Sequence, residues 1–249
     1  LRIGFYYSLI DWHHPDFPID MLHPRRDDPD AKAQNEGRDI RNYAAYMRNQ
    51  VKELLTNYGK IDILWFDFSY PTNNGTGERA WMKGKGKDDW EAETLIRIAR
   101  ELQPGIIIDN RTELEQDLWT PEQYQPLEWI RHAESGELVT WEACQTFSGS
   151  WGYHRDEQTW KSPEMLIRML VNTVALGGNL LNVGPTARGY LDARAEAALK
   201  VYADWMRVCS RSVYNCTMAE PEYLPCLPQD CRFTQSVDGR RLYLHLYAY

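Results

Sequence analysis

Three carboxylic acids in this 249-residue sequence occupy positions suited to nucleophilic or acid–base chemistry. Asp67 directly follows the apolar run 61–66, and Glu122 and Glu142 each lie within three residues of a tryptophan. Apolar neighbours desolvate a carboxyl group, which raises its pKa and suits it to acid catalysis. A pair of carboxyls is the minimum for glycoside hydrolysis, because one attacks the sugar or activates water and the other protonates the leaving oxygen. Taken alone, an aspartate placed like Asp67 more often begins a turn.

The elements that must position these acids alternate along the chain, which predicts parallel strands joined by crossover helices. The predicted strands are 3–8, 61–66, 106–108, 138–141 and 180–183, and the predicted helices are 43–58, 88–102, 162–176 and 191–208. A (β/α)8-like barrel and an open doubly wound sheet both fit this order. No glycine-rich phosphate fingerprint follows a strand, which weakens the second fold. Asp67, the segment 109–111 and Glu142 follow strands, which favours a barrel whose strand ends converge on one mouth.

Composition excludes several classes of function. The net charge of −8 argues against a duplex nucleic-acid partner, which requires a basic face. No apolar run reaches the length that spans a bilayer, so we expect no membrane association. The five cysteines show no zinc-like spacing, and no ligand cluster predicts a metal or organic cofactor. Ten Trp and fifteen Tyr residues are compatible with either a large core or carbohydrate binding.

Seven short motifs make the carbohydrate interpretation specific. In chain order they are Gly4-Phe-Tyr-Tyr-Ser8 with Asp11-Trp12, Trp65-Phe-Asp67, Asn110-Arg111, Thr120-Pro-Glu122, Trp141-Glu142, Ser150-Trp-Gly-Tyr153 and Leu181-Asn-Val-Gly-Pro185. Each is weak alone, but together and in this order the sequence resembles the α-L-fucosidases of glycoside hydrolase family 29 over roughly residues 1–205.

The resemblance implies roles for individual residues. Asp67 corresponds to the nucleophile, and Trp65 lines the fucose site. Tyr6 contacts the sugar or the nucleophile, and Arg111 binds near the ring oxygen or the hydroxyls of the sugar. Trp12 belongs to the same substrate-binding set.

The same resemblance leaves two glutamates as candidates for the acid/base residue. Some family members use the Glu of the Thr-x-Glu element, which is Glu122, and in others the role has been ascribed to the Glu of Trp-Glu, which is Glu142. We favour Glu122, because a loop after a barrel strand can bring its carboxyl over the leaving-group side. Glu142 would then orient Arg111 or a tryptophan. Retention requires about 5 Å between the two catalytic carboxyls, which the sequence does not specify.

The resemblance also implies an architecture and an activity. We expect a partial (β/α)8-like catalytic barrel over residues 1–208, lacking its first strands, followed by the start of a β-sandwich over residues 209–249. The implied activity is retaining exo-hydrolysis of terminal α-L-fucose from a fucosylated glycan, in a secreted, periplasmic or lysosomal-type compartment. The alternatives are another barrel exo-glycosidase and a catalytically incomplete carbohydrate-binding fragment.

Two further features carry weaker expectations. The family's sugar-binding His-His pair should lie upstream of this chain, so His13 and His14 should not inherit its role. They are expected to be loop histidines near the barrel mouth, with contact to the leaving group as the alternative. The lysine-rich segment 83–87 is expected to be a solvated loop.

Overall fold

The computed structural model describes residues 2–247, except for the side chains of Asn179 and Leu180. Contacts between residues divide the chain into two compact units. The first unit ends at Trp119 and the second begins at Thr120.

Three parallel strands organise the first unit. They are β1 (Gly4–Ser8), β2 (Ile63–Asp67) and β3 (Ile107–Ile108), in the spatial order β1-β2-β3. The predicted strands 3–8, 61–66 and 106–108 are therefore confirmed within two residues at each end. β1 and β2 approach so closely at Gly4 that a Cβ there would lie 2.9 Å from the Cβ of Ile63.

Three helices, α1 (Ala31–Asn35), α2 (Ile40–Asn57) and α3 (Ala92–Leu102), belong to the same unit. α2 begins with the Asp39 side chain accepting a hydrogen bond from the Arg41 backbone N–H, and it ends two residues before Gly59, which has a positive φ of 79°. The apolar faces of α2 and α3 cover β2 because their buried side chains recur at helical spacing. This core includes Val51, Leu55, Leu64, Phe66, Leu95, Ile96 and Ala99.

The predicted start of α3 is wrong. The helix predicted over 88–102 begins only at Ala92, because Glu91 holds the N-cap position with a positive φ of 48° and no side-chain cap bond. Asp89 instead accepts a hydrogen bond from the backbone N–H of Gly86 at 2.9 Å. It therefore stabilises the preceding loop. The expectation of a solvated loop also fails for Lys85, which is buried and lies 3.6 Å from the buried carboxylate of Asp20.

Two parallel strands begin the second unit, β4 (Glu142–Thr146) and β5 (Gly178–Asn182). The predicted strand 138–141 is wrong, because β4 begins only at Glu142. Trp141 lies outside the strand, and its indole is buried against the backbone of Gly177, where a Cβ would lie 2.1 Å from the ring. Glu142 consequently starts a strand and does not follow one.

Helices α4 (Pro163–Leu176) and α5 (Ala193–Cys209) complete the α/β part of the second unit. The predicted helix 162–176 is confirmed, and Ser162 caps it, since its side chain accepts a hydrogen bond from the Met165 backbone N–H at 3.2 Å. Asp192 caps α5 in the same way. Apolar side chains from both helices share one core cluster, which includes Phe147, Leu166, Met169, Ala195 and Ala198.

A three-stranded antiparallel sheet follows, with β6 (Cys216–Thr217), β7 (Cys231–Ser236) and β8 (Leu242–Leu246) in that spatial order. Short strands and turns therefore follow Cys209, within the segment 209–249 where the start of a β-sandwich is expected. Ala248 and Tyr249 lie outside the described residues. Among residues 2–247, no helix is both long and apolar enough to cross a membrane.

Candidate active site

Tyr6, Trp65 and Asp67 share one face of the first sheet. Tyr6 is paired in register with Trp65, and Trp65 and Asp67 are two residues apart on β2. Arg111 reaches them from the loop after β3, the next strand on the other side of β2. Three adjacent parallel strands thus bring these four predicted residues together at their carboxyl ends, where α/β folds place their sites.

Three donors from different parts of the unit hold the Asp67 carboxylate. The Tyr6 hydroxyl donates to Oδ2 at 2.6 Å. Oδ1 accepts from Arg111 Nη1 at 3.1 Å and from the backbone N–H of Phe68 at 2.9 Å. Charge-assisted bonds of this kind are directional, so they fix the carboxylate in one orientation. A carboxylate held in this way is suited to attack a carbon presented from one side.

Trp65 supports both donors. Its ring is stacked with that of Tyr6, with centroids 5.6 Å apart and planes 18° apart. The guanidinium carbon of Arg111 lies 4.8 Å from the centroid of the indole, in cation–π geometry. The side chains of Asp67 and Arg111 remain 21% and 24% exposed, so the pair is reachable by a ligand and only partly screened by water.

Phe68 is a candidate site residue that the sequence reasoning missed. It has a positive φ of 72°, which is uncommon for a non-glycine residue and marks a sharp turn directly after Asp67. That turn points the Phe68 N–H back at the carboxylate and leaves its ring 47% exposed. The signal in the sequence was an aromatic residue immediately after a strand-end aspartate.

Asp109, the residue after β3, was also missed as a candidate. Its side chain is fully buried, and Oδ1 accepts a hydrogen bond from the Arg111 backbone N–H at 3.2 Å. Burial raises the pKa of this carboxyl to about 8, although the Arg111 N–H opposes the shift, and the charge of Asp67 adds to it. The carboxyl is therefore largely protonated at neutral pH and ties the backbone of the Arg111 loop.

Replacing Asp109 with asparagine should flatten the pH dependence of stability. The folded carboxyl keeps its proton up to a pKa of about 8, whereas the unfolded one releases it near its ordinary value of 3.8. Between these two pKa values the unfolded state binds fewer protons than the folded state. The free energy of unfolding therefore falls as the pH rises, by up to about 1.4 kcal/mol per pH unit. The amide of the substituted side chain cannot titrate. The free energy of unfolding can be measured with urea at about pH 5 and about pH 7.5. Between these two pH values the unmodified protein should lose about 3 kcal/mol more of this free energy than the variant does.

A matched control for this substitution is Asp62→Asn. A hydrogen bond from Lys60 lowers the pKa of the Asp62 carboxyl, so its contribution to stability is lost only as the pH falls through that lowered value. The control should change the acid side of the stability curve and leave the neutral side unaltered. If the free energy of unfolding changes with pH in the same way for Asp109→Asn and the unmodified protein, the assignment of a buried, protonated Asp109 is wrong.

In the loop after β1, Trp12 and His13 have different surroundings from His14. Trp12 and His13 line a cleft together with Ser8 and Phe68. His14 instead packs on Tyr46, with ring centroids 4.3 Å apart, and accepts a hydrogen bond from the Asp16 backbone N–H. The expected pair of loop histidines is therefore divided between a cleft residue and a packing residue.

Glu122 and Glu142 both belong to the second unit. The segment around Glu122 runs parallel to β4, where Glu122 forms a bridge with Cys144 and the Gln123 N–H donates to the Cys144 carbonyl at 2.9 Å. Glu142 is the first residue of β4. Its expected place at the carboxyl end of a strand is therefore wrong, since that end is at Thr146. In parallel α/β folds, residues at the amino ends of strands lie away from the catalytic face.

The sequence model of the family described as Alpha-L-fucosidase matches residues 1–211 of this chain. The chain belongs to the alpha-L-fucosidase family. Among curated fucosidases, the plasma alpha-L-fucosidase of Pongo abelii is 30% identical over 226 residues, which cover 86% of this chain and 42% of the relative. The plasma alpha-L-fucosidase of Homo sapiens is 29% identical over 234 residues, with the same coverage. The chain thus spans less than half the length of these two fucosidases.

Solved fucosidase structures extend the similarity to the fold. Alpha-L-fucosidase isoenzyme 1 from Paenibacillus thiaminolyticus is 40% identical with a TM-score of 0.84, and the match covers 99% of this chain and 56% of that one. An alpha-L-fucosidase from Vibrio sp. strain EJY3 is 25% identical with a TM-score of 0.77, covering 99% of this chain and 40% of the other. The motifs that bring Tyr6, Trp65, Asp67 and Arg111 together thus lie on a fucosidase fold.

Proposed function

We propose that this chain is the catalytic part of a retaining exo-α-L-fucosidase that removes terminal α-L-fucose from glycans. The observation that carries the proposal is the Asp67 carboxylate at the end of β2, held by Tyr6 and Arg111 beside the ring of Trp65. Membership of the alpha-L-fucosidase family supports fucose as the sugar.

In the proposed reaction, Asp67 attacks the anomeric carbon while the bond from that carbon to the leaving oxygen breaks. Glu122 donates its proton to that oxygen, and the leaving alcohol departs. Water then attacks the resulting fucosyl ester, transfers a proton to Glu122 and releases fucose and the Asp67 carboxylate. Two inversions at the same carbon give net retention.

The other residues of the site have supporting parts in this scheme. Tyr6 and Arg111 orient the carboxylate before attack and hold the oxygen that leaves in the second step. Trp65 lines the sugar site by supporting Tyr6 and Arg111, because its ring stacks with the ring of Tyr6 and holds the Arg111 guanidinium. Trp12 is assigned to substrate binding through the cleft that it lines.

For the fold, we propose that the five parallel strands belong to a (β/α)8-like barrel within residues 1–208. The antiparallel sheet would then be the start of a β-sandwich over residues 209–249. The alternation of strands and helices up to α5, and the antiparallel pairing that follows it, support this boundary.

Hydrolysis of a panel of nitrophenyl glycosides tests the function, with the anomer of the first-formed sugar observed by proton NMR. We expect release from the α-L-fucoside alone, with α-L-fucose formed first. Turnover of a different glycoside would favour another exo-glycosidase of the same fold. Fucose binding without turnover would identify a carbohydrate-binding fragment.

A further inference from the structure

A cleft of about 530 Å³ is lined by Ser8 and Phe68, which are neighbours of Asp67 in the sheet and in the chain, and the proposed chemical steps do not occupy it. Its walls come from Trp12 and His13 in the loop after β1, from Arg25 and from Phe68. The volume falls within the range of about 300 to 1,000 Å³ that small-molecule sites have.

The cleft lies where the leaving group of the reaction must go. Ser8, which lines it, is paired in register with Asp67, and Phe68 is the next residue after Asp67. A fucoside with its anomeric carbon at Asp67 has to place the rest of the glycan close to these strand ends. We propose that this cleft is the subsite for the leaving-group sugar, that it selects a neutral pyranose, and that Asp28 sets this selectivity by neutralising Arg25. The inference rests on the proposed function.

Aromatic surface in the cleft supports a sugar as its ligand. The side chains of Trp12 and Phe68 are 38% and 47% exposed, although both are large apolar groups. A flat ring with an apolar face matches the face of a pyranose, whose hydroxyls point outward from its edge. The two rings therefore provide stacking surface, and the backbone and polar side chains around them provide specificity.

Charge in the cleft argues for a neutral ligand. Arg25 Nε is 2.9 Å from Asp28 Oδ2, so the guanidinium is already paired with a carboxylate. The cleft is also lined by Asp11, whose Oδ1 accepts a hydrogen bond from the His13 backbone N–H at 3.0 Å. A sulfate or carboxylate on the leaving-group sugar would meet Asp11 and would have to compete with Asp28 for Arg25.

His23 makes the cleft a preformed site. It is buried behind the walls, where its Nδ1 accepts from the Arg25 backbone N–H at 3.0 Å. Its Nε2 therefore carries the proton and donates to the Trp12 carbonyl at 3.2 Å. Burial lowers the pKa of His23, which favours this neutral form. Because one side chain ties two walls, the sugar does not have to order them on binding.

The first test compares two substrates that share fucose and differ in the leaving group. A neutral fucosyl disaccharide fills the cleft, whereas fucosyl fluoride leaves it empty. Trp12→Ala should lower the ratio of kcat/KM for the disaccharide to kcat/KM for the fluoride about tenfold. Tyr58→Ala is the matched control, because Tyr58 is an exposed aromatic residue that follows α2 and does not line the cleft, and it should leave the ratio unchanged.

The second test addresses charge selectivity. The unmodified protein should prefer the neutral disaccharide over one with a sulfated leaving-group sugar. Asp28→Asn frees the Arg25 guanidinium and should reduce this preference about fivefold, a modest change because both side chains of the pair are partly exposed to water. Asp27→Asn is the control for the same chemical change, because Asp27 pairs with Arg79 and Arg26 and does not contact Arg25 in the described ion pairs.

The outcomes separate this inference from the proposed function. If fucosyl fluoride is hydrolysed but Trp12→Ala leaves the substrate ratio unchanged, the subsite is wrong and the fucosidase stands. If Asp28→Asn and Asp27→Asn have equal effects on the sulfated substrate, the role of Asp28 is wrong. If the unmodified chain hydrolyses neither substrate, the proposed function fails and the subsite fails with it.

Discussion

Replacing Asp67 with glycine is expected to reduce kcat for an aryl α-L-fucoside by roughly 10⁴-fold or more, because losing a nucleophile removes the covalent path entirely. Tyr6 and Arg111 would remain, but the oxygen atoms that they orient would be gone. Asp67→Asn should be similarly inactive, since it keeps the shape of the side chain and removes its charge. Steady-state release of the aryl alcohol measures both losses.

Azide distinguishes a lost nucleophile from a damaged site. In Asp67→Gly the space of the carboxylate admits a small anion, which attacks the anomeric carbon from the same side as Asp67 does. A single inversion follows, so the rescued product should be β-L-fucosyl azide. Asp62→Asn changes an aspartate just before the amino end of β2, at the opposite end of the strand from Asp67, and should retain activity. Full activity of Asp67→Gly, or rescue giving only the α-azide, would show that Asp67 is not the nucleophile.

Strand-end reasoning predicted the places of Asp67 and the segment 109–111, whereas the family resemblance implied Tyr6, Trp65 and the role of Arg111, and two simple rules explain why the fold brings them together. Parallel strands expose the side chains that follow them at one edge, and residues two apart on a strand share a face. Trp65 and Asp67 are two residues apart on β2, Tyr6 is paired with Trp65 on the neighbouring strand, and Arg111 follows β3. The buried strand β2 was also unambiguous, since an apolar run covered on both faces has few alternative conformations.

The errors arose where distant residues decide the local structure. The run 138–141 has the composition of a strand, yet Trp141 is buried against Gly177, and pairing with β5 begins one residue later. A shift of this size moves Glu142 from the end of a strand to its start. Asp89 is spaced like a helix cap, but the Gly86 N–H competes for its carboxylate.

Buried polar groups were equally invisible in the sequence. Lys85 looked like one of several solvated lysines, and its partner Asp20 is 65 positions earlier in the chain. His23 showed no motif, because its two ring contacts are to backbone atoms, which every residue possesses. Only the folded chain identifies such residues, since their roles depend on which carbonyl or amide lies beside the ring.

Glu122→Ala should lower kcat/KM for a fucosyl disaccharide by roughly 10²- to 10⁴-fold, the usual contribution of a general acid. The loss should be much smaller for fucosyl fluoride, because fluoride departs without a proton. In this variant the fucosyl ester on Asp67 still forms. Added azide should attack that ester, and this second inversion gives α-L-fucosyl azide, the opposite anomer to that expected from Asp67→Gly.

Glu142→Ala is the matched comparison, because it removes the same side chain from the competing candidate. Glu142 starts β4, whereas Glu122 lies alongside Cys144 in the middle of that strand. In a parallel α/β fold the catalytic face lies at the carboxyl ends of the strands, and this general rule is our reason for proposing Glu122 over Glu142. We expect Glu142→Ala to affect the disaccharide and the fluoride to the same extent, with no azide product. If only Glu142→Ala spares the fluoride and yields the α-azide, the acid/base residue is Glu142, and the position of a carboxyl along β4 does not determine its role.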